Sequence, residues 1–250
     1  MGQLQDKVAI VTGSSSGIGE AIARRFAAEG AAVVVNSVSS SREGKRLAAD
    51  LPNAVYVQAD VAGESDACRL VAAAVERWGR LDIVVNNAAI GPQLPHADLA
   101  GLSDELWQQV LQVNLMGPWY LLRAAEPHLR RHGDGAVVNV TSVAGLRPTE
   151  NTTTIPYHIS KSALNHLTVL LANVFGPEVR VNAVAPGGIE TPMWPQPADK
   201  LRASVSARTI LGRPGQPSEI AEACLLLARP GYITGQILAV DGGMSVKVHR

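Results

Sequence analysis

The chain has 250 residues, of which 46% are hydrophobic, so it can bury a large core, and α/β folds of this length often form one domain. Its 22 basic and 22 acidic residues leave no net charge, and no Lys- or Arg-rich run is present, which argues against a nucleic-acid partner. No apolar stretch reaches the roughly 20 residues that span a bilayer, and no secretory signal pattern is present. We therefore expect a cytoplasmic protein without a membrane partner.

Seven short runs rich in β-branched residues recur along the chain, and segments with apolar residues at three- and four-residue spacing lie between most of them. The runs are apolar almost throughout, as in strands covered on both faces. This alternation predicts a single-domain, Rossmann-type α/β fold over residues 1–250, a doubly wound parallel sheet of about seven strands with helices on both faces. The runs cover residues 8–12, 32–36, 54–59, 81–86, 136–141, 179–185 and 236–240.

The first predicted strand leads into a glycine-rich turn with the spacing G-x-x-x-G-x-G, and a helical pattern follows. Glycines let the backbone turn tightly, and the free N–H groups of a helix N-terminus attract phosphate. An ordinary tight connection is the alternative, but the position at the first strand of an alternating chain favours a dinucleotide site. The predicted cofactor contacts here are Gly13, Ser15, Ser16, Gly17, Ile18 and Gly19.

The end of the second predicted strand bears on the choice of cofactor. An acidic side chain there would bind the ribose 2′-hydroxyl and repel a 2′-phosphate. This chain has Asn36 and Ser37 at that point, followed by further serines and Arg42, groups that suit a phosphate. NADP(H) is therefore the favoured cofactor. NAD(H) is the alternative, because the glycine turn carries Ser15 and Ser16 and no basic residue.

Three irregular segments follow predicted strands and are rich in Gly, Pro, Thr or Asn. Loops at the carboxyl ends of parallel strands surround the ligand crevice. We therefore predict that the segments near residues 91–101, 146–156 and 186–212 form the substrate site. The contributing side chains would be Leu94, His96, Met193 and Trp194, in a pocket of mixed polarity, although His96 also suits a packing role.

Two polar residues in the middle of the chain are candidates for the site. Asn114 falls inside a long helical pattern over residues 103–132, where asparagine has low propensity. Ser142 follows the fifth predicted strand, where its hydroxyl could hydrogen-bond a reacting oxygen. The alternatives are helix packing for Asn114 and a turn cap for Ser142.

Tyr157 and Lys161 are four residues apart at the start of a helical pattern, so both project from one helix face. An adjacent ammonium favours phenolate, which predicts a lowered pKa for Tyr157 and proton exchange with an alcohol or carbonyl oxygen. For an isolated pair, a surface lysine packed along a half-buried tyrosine would be the better interpretation. The accompanying motifs favour the catalytic one.

These motifs together resemble the short-chain dehydrogenase/reductase family over nearly the whole chain. The resemblance rests on the glycine turn, NNAA from Asn86, LQVNLMG around Asn114, NVTSVAG around Ser142, YHISK from Tyr157, and PGGIETPM, LGRPGQPSEIA and ITGQILAVDGGM further on. Several motifs in the right order are more specific than any one. The branch that it resembles contains 3-oxoacyl-carrier-protein reductases and sugar or secondary-alcohol dehydrogenases.

The resemblance implies roles for the four polar residues and for the rest of the cofactor site. Ser142 would orient the substrate, Tyr157 would be the acid/base, Lys161 would also hold the nicotinamide ribose, and Asn114 would anchor a water in a proton relay. Asp60 and Val61 would flank the adenine, Asn87 and Ala88 the adenosine, and four later residues the nicotinamide. Those four are Pro186, Gly187, Ile189 and Thr191, with Thr191 on the carboxamide.

The sequence therefore predicts an NADP(H)-linked carbonyl reductase acting on a small molecule. An NAD-dependent alcohol, polyol or sterol dehydrogenase and a 3-oxoacyl-carrier-protein reductase are the alternatives, and a non-catalytic nucleotide-binding protein is disfavoured because all four polar residues are present. Cys68 and Cys224 have no partners at metal-ligand spacing, so no metal is expected. The resemblance and the apolar residues around Leu170 imply a homotetramer.

Overall fold

The computed structural model describes residues 2–94, 96–149, 154–192, 194 and 198–247. Within these residues, seven parallel strands form one sheet. The strands are β1 (Val8–Val11), β2 (Ala32–Ser37), β3 (Ala54–Gln58), β4 (Ile83–Asn86), β5 (Gly135–Val140), β6 (Val179–Pro186) and β7 (Ile237–Val240). Their order across the sheet is β3-β2-β1-β4-β5-β6-β7, which confirms the predicted doubly wound α/β fold.

Helices cover both faces of this sheet. They are α1 (Gly17–Ala28), α2 (Ser41–Asp50), α3 (Glu64–Trp78), α4 (Asp104–Leu111), α5 (Gly117–Arg130), α6 (Ile155–Phe175), α7 (Asp199–Arg208) and α8 (Pro217–Ala228). In the described residues none of these helices combines the length and the apolar character needed to cross a membrane.

The alternation of side chains along each strand divides the core in two. Ala9 and Val11 of β1 face a cluster that includes residues of α1, α2 and α8, whereas Val8 and Ile10 face a cluster with residues of α3, α5 and α6. Phe26 of α1 is fully buried in the first cluster. Burying one such side chain contributes about 1.5–3 kcal/mol, so both faces of the sheet are firmly held.

The strand order places the ligand crevice. From β1 the chain first builds outward through β2 and β3, and it then returns to add β4 on the other side of β1. In open parallel sheets, ligands bind beyond the carboxyl ends of the strands at this reversal. The glycine turn after β1 and the segment after β4 therefore meet at one place.

Two predicted segments differ in detail from the structure. The helical pattern over residues 103–132 is α4 and α5 joined by one π-helical turn, Gln112–Met116, with Asn114 at its centre. The predicted loop at residues 186–212 contains α7, whose only buried residue is Val205, so its helical periodicity is weak in the sequence. Short π segments inside α-helices are frequent at functional sites.

Candidate active site

The glycine turn lies at the carboxyl end of β1 and carries the N-terminus of α1. Gly13 and Gly17 have φ values of 60° and 58°, in the left-handed region that favours glycine. Ser16 at the start of α1 makes no side-chain cap to the helix, so the first N–H groups of α1 have no such partner. A phosphate group fits this arrangement, because helix N-termini present N–H groups and a positive dipole end.

Asn36 holds the glycine turn from the neighbouring strand. Its Oδ1 accepts a hydrogen bond from the Gly13 N–H at 3.2 Å, and its Nδ2 donates to the carbonyls of Val57 and Ala59 at 3.2 and 3.0 Å. The residue is buried. The Asn36 side chain is thus engaged within the protein, while Asn36 and Ser37 both line the groove described below. A contact of either residue with the cofactor stays a prediction.

Asn87 and Thr12 brace the turn from the other side. The Asn87 Nδ2 donates to the carbonyls of Thr12 and Gly13 at 2.8 and 3.1 Å. The Thr12 hydroxyl accepts from the N–H groups of Asn87 and Ala88, both at 3.0 Å. The sequence interpretation had no role for Thr12, although a hydroxyl residue between a strand and its glycine turn was the available signal.

A groove of about 520 Å³ runs along this edge of the sheet, and most predicted cofactor residues line it. Its walls include Gly13, Ser15, Ser16, Gly17, Ile18, Gly19, Asn36, Ser37, Asp60, Val61, Asn87, Ala88 and Thr191. A second cavity of about 420 Å³ adjoins it and shares Ile18, Asn87 and Thr191 with it. The remaining predicted nicotinamide residues, Pro186, Gly187 and Ile189, line that second cavity. The continuous space suits a dinucleotide that ends beside a substrate.

Ser142, Tyr157 and Lys161 all line the second cavity. The Lys161 Nζ lies 5.7 Å from the centroid of the Tyr157 ring and donates a 2.9 Å hydrogen bond to the Val140 carbonyl. Ser142 lies just beyond β5, close enough to Tyr157 to have a lowering effect on its pKa, and its Oγ accepts from the Ala144 N–H at 3.1 Å. The end of β5 and the first turns of α6 thus bring these three groups together.

Burial dominates the electrostatics of this cluster. It raises the pKa of Tyr157 above its ordinary value, against the opposing effect of the Ser142 hydrogen bond. It also lowers the pKa of Lys161 to about 8. The sequence predicted a lowered pKa for Tyr157; the structure differs because desolvation disfavours the charged form of each group. Tyr157 therefore holds its proton at neutral pH.

Asn114 is fully buried and lines neither cavity. Its Oδ1 accepts from the Ile90 N–H and its Nδ2 donates to the Ile90 carbonyl, both at 2.9 Å, and the Nδ2 also donates to the Ser160 Oγ at 3.1 Å. The side chain thus ties the segment after β4 to α6, between Tyr157 and Lys161. Its role in a proton relay stays a prediction.

The substrate side of the second cavity is formed by the predicted loops and by α7. Trp194 lines it as expected, whereas Leu94 and His96 do not. His96 packs edge-on against His158 with ring centroids 5.1 Å apart, which fits the packing alternative. Met193 and residues 150–153 lie outside the described residues. Side chains that the sequence interpretation missed are Leu201, Val205, Arg208 and Met244.

No set of three or more His, Cys, Asp or Glu side chains within the described ranges is grouped so that it could hold a metal ion.

Comparison with known proteins places this geometry in a family. Residues 13–245 match the family model described as enoyl-(acyl carrier protein) reductase. The chain is 54% identical over 239 residues to ketoacyl reductase 2 of the granaticin polyketide synthase from Streptomyces violaceoruber, covering 94% of this chain and 95% of that protein. It is 36% identical over 251 residues to the 3-oxoacyl-[acyl-carrier-protein] reductase of Thermotoga maritima, covering 98% and 100%.

Two further similarities agree with these. The chain is 38% identical over 257 residues to the L-fucose dehydrogenase of Bos taurus, covering 98% of this chain and 91% of that protein. The crystal structure of a protein described as a short-chain dehydrogenase/reductase from Burkholderia xenovorans superimposes with a TM-score of 0.89 at 34% identity, covering 96% of this chain and 98% of that one. The chain belongs to the short-chain dehydrogenase/reductase family and is an NAD(P)-dependent oxidoreductase acting on keto and alcohol substrates.

Proposed function

We propose that this chain is an NADP(H)-linked carbonyl reductase in which Tyr157 is the general acid. The observation that carries the proposal is the convergence of Ser142, Tyr157 and Lys161 on one cavity that continues into the dinucleotide groove. Each group has a donor or a charge suited to a carbonyl oxygen that becomes an alkoxide. The nicotinamide, when bound, supplies or accepts the hydride.

The protein side chains have separate roles in the proposed reduction. Ser142 and Tyr157 point hydroxyls at the same oxygen, so that a carbonyl can accept two hydrogen bonds. Tyr157 then gives its proton to that oxygen, and the ammonium of Lys161 stabilises the phenolate that remains. Asn114 positions α6 relative to the segment after β4, because its side chain hydrogen-bonds both Ile90 and Ser160. In alcohol oxidation the same steps run backwards.

Reduction is the proposed direction, and a protonated Tyr157 is the form that this direction needs. The similarity to two ketoacyl reductases supports the same direction and makes a 3-oxoacyl group the second candidate substrate. An NAD-dependent alcohol or sugar dehydrogenase is the remaining alternative, supported by the likeness to L-fucose dehydrogenase. All of these alternatives would use the same catalytic residues. Only the turnover of candidate substrates can therefore distinguish them.

The preference for NADP(H) rests on the end of β2. Ser37 hydrogen-bonds the Tyr56 hydroxyl at 2.9 Å, and Ser39 and Ser40 also line the groove. No carboxylate stands among these residues to repel a 2′-phosphate. The polar groups available for that phosphate are hydroxyls and backbone N–H groups.

Ser37→Asp should reverse the cofactor preference. A carboxylate at the end of β2 accepts hydrogen bonds from a ribose 2′-hydroxyl and repels a 2′-phosphate. We expect the ratio of the NADPH to the NADH dissociation constant, measured by fluorescence titration, to rise by about tenfold or more, which corresponds to about 1.4 kcal/mol. Tight NADH and weak NADPH binding by the unaltered protein would contradict the proposed cofactor.

The pH dependence of reduction should reflect Lys161. Its pKa of about 8 means that the ammonium loses its charge as pH rises through that value. Phenolate then loses its stabilising neighbour, so kcat/KM for ketone reduction should fall above about pH 8. Lys161→Arg keeps a charge at these pH values and should move the falling limb upward, although at a lower rate. If kcat/KM fell at the same pH in Lys161→Arg, the fall would be due to the titration of another group.

A homotetramer is proposed as the working assembly. Two apolar residues of α6 are exposed in the single chain: 50% of Leu170 and 61% of Val174 are accessible to solvent. Such exposed apolar area is typical of association surfaces. Light scattering on the intact protein tests this, and a monomer mass would contradict it. The single-domain organisation and the cytoplasmic location stay predictions.

A further inference from the structure

Helix α7 turns one face toward the substrate cavity. Leu201, Val205 and Arg208 all line it, and they stand at positions i, i+4 and i+7 of the helix. This spacing puts the three side chains on one stripe. Two of the three are apolar, so the guanidinium of Arg208 is the polar element of the wall that α7 provides.

The Arg208 guanidinium is only partly used by the protein. Its Nε donates to the Ser204 carbonyl at 3.2 Å, and neither terminal nitrogen has a hydrogen-bond or ion-pair partner in the described part of the chain. Each of the other half-buried arginines there has at least one terminal nitrogen bonded to a protein group, although the Nε of Arg147 has no partner. Arg25, Arg80 and Arg130 form ion pairs, and Arg147 and Arg180 donate to main-chain carbonyls.

The charges around the cavity leave Arg208 without compensation. Among the described residues that line it, none is Asp or Glu, whereas Lys161 and Arg208 are both cationic. Arg147 adds positive charge behind the same wall, since its Nη2 donates to the carbonyl of Met244, another lining residue. An anionic ligand would supply the counter-charge that no described lining residue provides.

We propose that Arg208 binds a carboxylate carried by the substrate, so that the enzyme reduces keto acids. This inference rests on the proposed function and names its substrate class. Two free terminal nitrogens of one guanidinium match the two oxygens of a carboxylate in a planar, bidentate pair. One unpaired arginine also matches a single negative charge. The Nε bond to the Ser204 carbonyl leaves both terminal nitrogens available.

The test uses methyl ketones that end in a carboxylate, namely levulinate, 5-oxohexanoate and 6-oxoheptanoate, and the uncharged primary amide of each. Binding to the protein saturated with NADP⁺ is measured by calorimetry, and kcat/KM for reduction is measured with NADPH. At the chain length that spans from Tyr157 to Arg208, the acid should be favoured over its amide by about tenfold to a hundredfold, as expected for a charge-assisted pair.

Arg208→Gln should remove that preference by bringing the acid values close to the amide values, and Arg208→Lys should keep part of it. Arg202→Gln is the matched control, because Arg202 lies on the same helix, is exposed and pairs with Glu190 outside the cavity. Equal values for acid and amide at every chain length in the unaltered protein would overturn the inference. An equal loss in Arg202→Gln would also overturn it.

The same experiment separates this inference from the proposed function. Reduction of the amides without any preference for the acids keeps a carbonyl reductase and removes the role of Arg208. Selective binding of the acids without reduction by either cofactor keeps the anion site and contradicts the proposed reaction.

Discussion

Tyr157→Phe should lower kcat/KM for ketone reduction by about 10²- to 10⁴-fold, the range that a positioned general acid contributes. The substitution removes one oxygen and preserves the ring, so the packing at the start of α6 is kept. The lost hydroxyl is the group that burial keeps protonated and that lies beside Ser142. The dissociation constant of NADPH, measured by fluorescence titration, should stay within about twofold, because the hydroxyl is one small part of the cofactor contact area.

Tyr120→Phe is the matched control for this result. Tyr120 accepts a hydrogen bond from the Gln112 Nε2 at 3.3 Å and lines neither cavity. It should therefore leave turnover nearly unchanged. If Tyr157→Phe turned over ketones as fast as the unaltered protein, the acid would have to be another group.

Gly19→Ala should weaken both cofactor binding and the fold. A Cβ at this position would stand 2.4 Å from the Gly13 carbonyl oxygen, 2.6 Å from the Asn87 Nδ2 and 2.8 Å from the Ser14 Cα. Two of these atoms belong to the backbone of the glycine turn, so α1 or the turn must move. Overpacking of this kind costs about 1–3 kcal/mol. The NADPH dissociation constant should rise about tenfold or more, and the melting temperature should fall by several degrees.

Gly63→Ala serves as the control for the glycine replacement. Its φ is −102°, and an added Cβ would meet nothing closer than the Asp60 carbonyl oxygen at 3.6 Å. Both cofactor binding and melting temperature should stay near those of the unaltered protein. Unchanged NADPH affinity in Gly19→Ala would show that the turn and α1 do not hold the cofactor as closely as proposed.

The fold could be predicted because its signals are local and repeated. Each predicted strand coincides with an observed one to within two residues at either end, since buried parallel strands are continuous apolar runs, as in β1 and β2. The doubly wound sheet was also predicted from the alternating order with right-handed crossovers, whereas the position of the reversal, after β3, was not. By contrast, α7 has one buried side chain, Val205, and its periodicity is too weak to read.

Side-chain direction was the main limit for the site residues. Asn36 and Ser37 are adjacent, and strand geometry sends their side chains to opposite faces. Which face carries the glycine turn depends on the pairing of β2 with β1 and β3, so the sequence could not show that Asn36 holds Gly13 and the β3 end. The same holds for Asn114, whose partners Ile90 and Ser160 are 24 and 46 residues away.

Burial was the second limit. The i, i+4 spacing of Tyr157 and Lys161 predicted their proximity, and the structure has the ammonium beside the ring. The spacing could not predict that desolvation outweighs the attraction between the charged forms, because desolvation depends on the residues that bury both side chains. The unpaired guanidinium of Arg208 was equally hidden, since its surroundings come from segments distant in the chain.

Isotope transfer tests the central claim most directly. The unaltered protein is incubated with a ketone and NADPH that carries deuterium at the transferring C4 position, and the product is analysed by mass spectrometry. The proposed function predicts an alcohol with one deuterium on the carbinol carbon, formed by the unaltered protein and about 10²- to 10⁴-fold more slowly by Tyr157→Phe. An unlabelled alcohol, or no alcohol from ketones of any class, would contradict it.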